Sequence, residues 1–173
     1  IRPTDANETA SAWAYALQQT EGPVALVLSR QNLPVFNETK ANLENLSKGA
    51  YVLEETNSNP DVILMATGSE VSLVVNAKTE LEKEDISVRI VSMPSWELFS
   101  QQSEEYKEMV LPSSQLKRLA IEMGISLGWE RFVGFEGKIL SIETFGASGD
   151  GAAVMKEFGF TTDNVVRITK SVL

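Results

Sequence analysis

One basic side chain is a candidate for chemistry because of its position after a predicted strand. Arg30 follows Val24–Leu28, a continuous apolar run that predicts a fully buried β-strand. In α/β sheets, ligands bind beyond the carboxyl ends of the strands, and the planar guanidinium group suits a phosphate. Arg30 is therefore a candidate phosphate ligand. On the residues alone, a surface arginine or an ion pair with a neighbouring domain is the favoured alternative.

Two glycine-containing junctions could hold an anion. Thr67–Glu70 joins a predicted strand to a helix, where backbone N–H groups and the helix dipole attract anions. Its spacing also fits a capping box, and the carboxylate of Glu70 would repel an anion. Gly146–Gly151 matches neither G-x-G-x-x-G nor a Walker A loop, and it lacks the lysine. We therefore expect a plain helix cap at the first junction and a tight turn at the second.

The chain contains no histidine and no cysteine. Zinc sites built on these residues, thiol nucleophiles and Ser-His-Asp relays are therefore excluded. Glu122 and Glu143 each lie at the end of a predicted strand, but no partner base is identifiable, so we interpret both as structural. A complete enzyme is less expected from this composition than a binding or structural piece.

The charge balance limits the classes of partner. The 173 residues include 15 Lys and Arg against 24 Asp and Glu, which gives a net charge of −9. Nucleic-acid backbones and anionic membranes do not attract such a surface, so neither is expected as a partner. No apolar run approaches the roughly 18 residues of a membrane span. Ile1–Asp5 has neither an initiator methionine nor a signal sequence, so we expect a fragment of a cytoplasmic protein.

Strands and helices are expected to alternate along most of the chain. Asp5 and Glu8 have capping-box spacing and begin a helix whose apolar stripe includes Trp13 and Leu17. Alternating apolar strands and helices predict a three-layer α/β/α fold with a mostly parallel sheet of about five strands. Beyond Val24–Leu28, strands are predicted at 50–53, 62–66, 88–92, 119–122 and 138–143, and helices at 71–81, 106–112, 129–133, 152–158 and 164–173.

Fading periodicity suggests a division of the chain. Residues 34–48 contain a proline and several asparagines and are interpreted as an interdomain linker that lies against a surface. Residues 1–33 would then be the end of an upstream domain, and residues 49–173 a second domain.

Several motifs occur in the order found in one enzyme family. Ala25–Pro34 closely resembles the segment that ends the pyrimidine-binding domain of transketolase. Downstream motifs follow the order of the transketolase C-terminal domain, with one departure at Gly149-Asp150, where the family often has Ala-Pro. These motifs are Lys48–Leu53, Ala66–Val71, Arg89–Ser95, Thr144–Ser148, Phe158–Thr161 and Asp163–Val165.

The resemblance implies a function for the parent protein. Transketolases are cytoplasmic homodimers that use thiamine diphosphate and a divalent cation (Mg or Ca), and they transfer a two-carbon ketol unit between sugar phosphates in the pentose phosphate pathway. The resemblance also implies that Arg30 is a ligand of the substrate phosphate. The family's cofactor, metal and catalytic residues lie upstream of Ile1, so no catalytic, cofactor-binding or metal-binding residue is expected here. The fragment would support the dimer and be inactive alone.

Two alternatives stay open from the sequence. One is a related thiamine enzyme, such as a deoxyxylulose-phosphate synthase or the β subunit of a keto-acid dehydrogenase, although Ser29–Leu33 favours transketolase. The other is a stand-alone module that binds an anion or nucleotide at the turn near Gly68 or Gly146.

Overall fold

A twisted five-stranded sheet forms the centre of the computed structural model, which describes residues 1–173. The strands lie in the order β1-β3-β2-β4-β5, and only β1 is antiparallel to its neighbour. The strands are β1 (Tyr51–Glu55), β2 (Val62–Ala66), β3 (Val88–Ser92), β4 (Arg118–Ile121) and β5 (Lys138–Leu140).

Helices precede the sheet and cover both of its faces. None of them is long and apolar enough to cross a membrane. The α-helices are α1 (Ala6–Gln18), α2 (Asn37–Ala41), α3 (Val71–Glu82), α4 (Trp96–Ser100), α5 (Glu104–Val110), α6 (Glu130–Val133), α7 (Gly151–Glu157) and α8 (Thr162–Lys170), and 3₁₀ helices span Leu43–Lys48 and Gly68–Glu70.

The central strands are mostly apolar on both faces, which is why the sheet needs two covering layers. Every residue of β2 and β3 is buried. Leu64 of β2 packs in a cluster with α3 and α8, whereas Ile63 and Met65 pack in a second cluster with Phe99 and Trp129. Alternate side chains of one strand thus enter two separate cores. This confirms the predicted three-layer α/β/α class and its mostly parallel sheet of five strands.

The amino-terminal residues cross the edge of the sheet at which the parallel strands end. The backbone N–H of Arg2 donates to the Pro94 carbonyl at 2.8 Å, after β3, and the Arg2 carbonyl accepts from Gly68 N at 3.3 Å, after β2. We call residues 1–5 the N-terminal arm. Its side chains are therefore placed at the edge where ligands of α/β proteins usually bind.

The prediction of a buried strand at Val24–Leu28 is wrong for this structure. The segment is extended but not part of the sheet, and the side chains of Val27 and Leu28 are 56% and 53% exposed. A strand requires a row of hydrogen bonds with a neighbour. Here the backbone N–H of Val27 donates to the Ile1 carbonyl at 2.9 Å, and no strand of the sheet lies beside it.

Helix α1 also differs from its prediction, although it begins where expected. The predicted apolar stripe faces solvent, with Trp13 53% and Leu17 79% exposed. The buried residues of the helix are Glu8 and Ala12 instead. Hydrogen bonds from Tyr51 and Ser92 to the Glu8 carboxylate dock this helix.

Residues 34–48 form two short helices that the sequence pattern does not predict. Helix α2 and the 3₁₀ helix Leu43–Lys48 pack against α1, and they bury Thr39 and Leu46. The expectation that this segment lies against a surface is therefore met.

Candidate functional site

Arg30 lies on an exposed loop that the N-terminal arm borders. Its side chain is exposed and forms no salt bridge. Between the loop and the first turn of α1 is a cavity of about 280 Å³, lined by Ser29 and Gln31 from the loop and by Asp5 from the arm. Arg30, between these two loop residues, does not line the cavity. It is available to an anionic group from outside the chain.

The Thr67–Glu70 junction is not the capping box that its spacing predicts. Thr67 caps no helical N–H with its side chain, and a 3₁₀ turn opens helix α3. The carboxylate of Glu70 is fully buried, and it accepts from the Met123 backbone N–H at 2.6 Å and from the Ser69 hydroxyl at 2.9 Å. Burial raises the pKa of Glu70, and the nearby Arg2 opposes that rise. The chain's own groups fill this junction, so it offers no anion site.

Arg2 joins two carboxylates that follow neighbouring strands. Its Nη2 donates to Glu70 at 3.4 Å, and its Nη1 donates to Glu122. Burial works against the charge on Arg2, but the hydrogen bonds and charges of these two carboxylates raise its pKa. Glu122 also accepts from the indole N–H of Trp129 at 3.2 Å. The arm thus fills the carboxyl edge of β2 and β4 with an ion-pair network, and Glu122 has the structural contacts expected of it.

Glu143 has local contacts instead. It is exposed, and it accepts from the Ser126 backbone N–H at 2.9 Å and from the Ser141 hydroxyl at 2.7 Å. These hydrogen bonds, first that of Ser141, lower the pKa of Glu143. The carboxylate links the loops after β4 and β5, so it too has structural contacts.

The Gly146–Gly151 segment is an exposed loop without regular structure before α7. Asp150 is the N-cap of that helix, and its side chain accepts from Ala153 N at 3.0 Å. The segment is thus an irregular loop that leads into α7 and not the tight turn that we expected, and its acidic cap faces the helix N-terminus where an anion would have to bind.

A buried carboxylate that sequence reasoning missed joins α1 to the sheet. Glu8 is 2% exposed and accepts from the Tyr51 hydroxyl at 2.6 Å, the Ser92 hydroxyl at 2.7 Å and the Thr4 backbone N–H at 2.7 Å. Burial raises the pKa of Glu8, and these three donors oppose the rise. Burial and the neighbouring Glu8 also raise the pKa of Tyr51, so its hydroxyl stays a donor. No local signal could have identified this contact, because Tyr51 and Ser92 are remote in sequence.

A second cavity, of about 500 Å³, lies between α5 and α6. Its basic side chains make internal contacts. Arg118 donates to the carbonyls of Gln115, Leu111, Pro112 and Phe132. Arg131 stacks with its guanidinium 4.9 Å from the ring centre of Trp96 and 4.6 Å from that of Phe132. No group of three or more Asp or Glu side chains in the chain is placed to hold a metal ion.

Comparison with known proteins gives a consistent result along the chain. Residues 49–161 match the family model described as the transketolase-like TK C-terminal domain. The chain is 54% identical over its full length to a transketolase of Geobacillus stearothermophilus and 51% identical to one of Bacillus subtilis. It spans about a quarter of the length of these curated relatives, 26% in each case.

Solved structures agree with the sequence relatives. A transketolase from Pichia stipitis in complex with sedoheptulose 7-phosphate is 40% identical, with a TM-score of 0.89 over 99% of this chain and 24% of its own. A transketolase from Leishmania mexicana is 37% identical, with a TM-score of 0.91 over the same shares. These relatives favour transketolase over the deoxyxylulose-phosphate synthase and keto-acid dehydrogenase alternatives. The chain therefore belongs to the transketolase family, in which it corresponds to the C-terminal domain and the residues that precede it.

Proposed function

We propose that this chain is the C-terminal part of a transketolase that transfers a two-carbon ketol unit from a ketose phosphate to an aldose phosphate in the pentose phosphate pathway. The observation that carries the proposal is the 54% identity along the entire chain to a curated transketolase. The parent is proposed to be cytoplasmic and homodimeric.

Within the parent, residues 1–33 would end the pyrimidine-binding domain, residues 34–48 would link the domains, and residues 49–173 would form the C-terminal domain. Two exposed features support this division. The outer face of α1 presents Trp13 and Leu17 to solvent, and the extended segment Val24–Leu28 has an unpaired edge. Apolar groups exposed in this way suit a surface that the rest of a domain would cover.

Thiamine diphosphate and its divalent cation (Mg or Ca) are assigned to the parent's upstream residues. Thiamine diphosphate would supply the carbanion chemistry of ketol transfer. A divalent cation of this kind needs several oxygen ligands. The present side chains do not fit that requirement, since no suitable acidic cluster exists among them. This chain is proposed to support the dimer and to supply one substrate contact, so we expect it to be inactive alone.

That contact is Arg30, which would bind the phosphate of the sugar substrates. It is exposed, it has no carboxylate partner, and it does not line the cavity beside the arm. An exposed arginine without an ion-pair partner can offer two parallel N–H groups to a phosphate without first breaking an internal contact. The guanidinium would thereby select phosphorylated over unphosphorylated sugars.

The test is Arg30→Ala in the full-length enzyme. Loss of a charge-assisted hydrogen bond costs about 1.5–3 kcal/mol, which corresponds to a rise in KM for phosphorylated substrates of roughly 10- to 150-fold. Unphosphorylated donors should be nearly unaffected. Lys40→Ala, which removes another exposed cation from the same part of the chain, should leave both KM values unchanged. An equal loss on both classes of substrate would refute the assignment.

A further inference from the structure

The loop that carries Arg30 is attached to the N-terminal arm on both sides. Before the loop, the backbone N–H of Val27 donates to the Ile1 carbonyl at 2.9 Å. After it, the backbone N–H of Phe36 donates to Oδ2 of Asp5 at 3.0 Å. Because the cavity of about 280 Å³ separates the loop from the first turn of α1, side-chain packing holds the loop weakly. Its position therefore depends on the hydrogen bonds at its two ends.

Asp5 uses its two carboxylate oxygens for different contacts. Oδ1 accepts from the backbone N–H of Glu8 at 2.9 Å and so caps helix α1. Oδ2 accepts from Phe36 N and from the hydroxyl of Thr39 at 2.6 Å. Asp5 as a whole is 5% exposed, so its charge-assisted hydrogen bonds are shielded from water.

Asn7 strengthens the same attachment from the next residues of the helix. Its side-chain amide donates to the Phe36 carbonyl and to the Thr39 hydroxyl, each at 3.0 Å. The peptide before Phe36 and the one after it are thus both fixed to the first turn of α1. The first turn of α1 is itself fixed to the sheet, because Tyr51 and Ser92 donate hydrogen bonds to Glu8.

We propose that Asp5 is a positioning residue for Arg30: it fixes the end of the loop at Phe36 and so holds the guanidinium where a substrate phosphate binds. The inference rests on the phosphate-binding role proposed for Arg30. A ligand that is misplaced by a fraction of an ångström loses much of its contribution to binding. Asp5 acts through Arg30 and does not touch the substrate.

The first variant is Asp5→Ser in the full-length enzyme. Serine is as good an N-cap as aspartate, so helix α1 keeps its cap. The shorter side chain cannot also reach Phe36, so the loop loses this hydrogen bond and keeps only the contact between Asn7 and the Phe36 carbonyl. We expect KM for phosphorylated substrates to rise by about three- to tenfold, with kcat and the KM for unphosphorylated donors nearly unchanged. Thr39→Val, which removes a hydrogen bond from the same oxygen and keeps Asp5, should act in the same direction if Asp5→Ser folds poorly.

A control variant separates this effect from general weakening of a helix. Ser103→Ala removes the N-cap of α5, where the serine side chain accepts from Tyr106 N at 3.2 Å. It should reduce stability without changing the ratio of the two KM values. A change in that ratio would assign the effect of Asp5→Ser to destabilisation and overturn the proposal.

The double variant distinguishes failure of this inference from failure of the proposed function. In the Arg30→Ala background, Asp5→Ser should have no further effect on phosphorylated substrates, because the group that it positions is gone. Full additivity of the two effects would overturn the positioning role and leave the role of Arg30 intact. If Arg30→Ala raises KM for both classes of substrate equally, or for neither, the phosphate role fails, and the positioning role is refuted with it.

Discussion

The Tyr51 hydroxyl donates a 2.6 Å hydrogen bond to the buried carboxylate of Glu8, 43 positions earlier in the chain. Glu8 lies in helix α1, and Tyr51 begins strand β1. Ser92, at the end of β3, donates to the same oxygen at 2.7 Å. These two hydrogen bonds join α1 to two strands of the sheet. The apolar residues of α1 mostly face solvent. A polar interaction thus does the docking that apolar packing performs elsewhere in the molecule.

Tyr51→Phe is expected to destabilise the chain. The substitution keeps the ring in its buried place but removes a hydrogen bond to a carboxylate, and such bonds contribute about 1.5–3 kcal/mol. Urea unfolding should show that loss in the free energy of unfolding, with the dependence on urea concentration unchanged.

Tyr15→Phe is the matched control for that experiment. Tyr15 lies on α1 and is half-buried, and its hydroxyl makes no hydrogen bond within the chain. Its loss should change the free energy of unfolding by less than about 0.5 kcal/mol. Equal effects of the two substitutions would show that the Glu8 contact does not stabilise the fold.

The sheet could be predicted from sequence where a strand is apolar on both faces and has neighbours. Val62–Ala66 and Val88–Ser92 are such strands, and each pairs with two others. Val24–Leu28 has the same pattern, yet it remains extended and exposed. A continuous apolar run indicates that a segment is suited to burial in a sheet. Whether neighbouring strands pair with it depends on the rest of the structure.

The contacts of the candidate site were harder to predict because they link distant residues. Glu70 follows Thr67 at capping-box spacing, but its carboxylate binds Arg2 and the Met123 backbone instead. Local spacing cannot reveal a partner 68 positions away. Arg2, the residue that fills the carboxyl edge of the sheet, had no signal at all in its own neighbourhood. For Asp5, the helix-capping role was predictable from local spacing, but the hydrogen bond with Phe36 was not.

Gly49→Ala is expected to be strongly destabilising. Gly49 has φ of +84°, a conformation that costs other residues about 1–3 kcal/mol. A Cβ atom there would also lie 2.2 Å from the Phe99 nitrogen and 2.3 Å from the Ser95 carbonyl oxygen, which are backbone atoms of helix α4 and its cap. We expect a loss of at least about 3 kcal/mol, measured by urea or thermal unfolding.

Gly22→Ala is the control for Gly49→Ala. A Cβ at Gly22 would meet no atom within 4 Å, and the residue does not have a positive φ. It should be neutral or slightly stabilising, because alanine restricts the unfolded chain. A loss at Gly49 no larger than that at Gly22 would contradict the close approach of Gly49 to α4.

Asp61 should make the stability of the chain depend on acid pH. It precedes β2 and accepts from the Ser87 hydroxyl at 2.6 Å and the Ser87 backbone N–H at 2.8 Å, immediately before β3. These hydrogen bonds lower the pKa of Asp61 below its ordinary 3.8 in the folded state. Its contribution is therefore complete above pH 3.8 and is lost as the pH falls through the lower folded-state pKa. Urea midpoints at a series of pH values should show that Asp61→Asn is less stable than wild type near neutrality and that the difference in stability shrinks in acid.

Glu136→Gln is the control, because it changes an exposed carboxylate without a hydrogen bond, and it should give no such pH-dependent difference in stability. A difference for Asp61→Asn that stays constant with pH would show that its ionised form does not hold the two strand ends together.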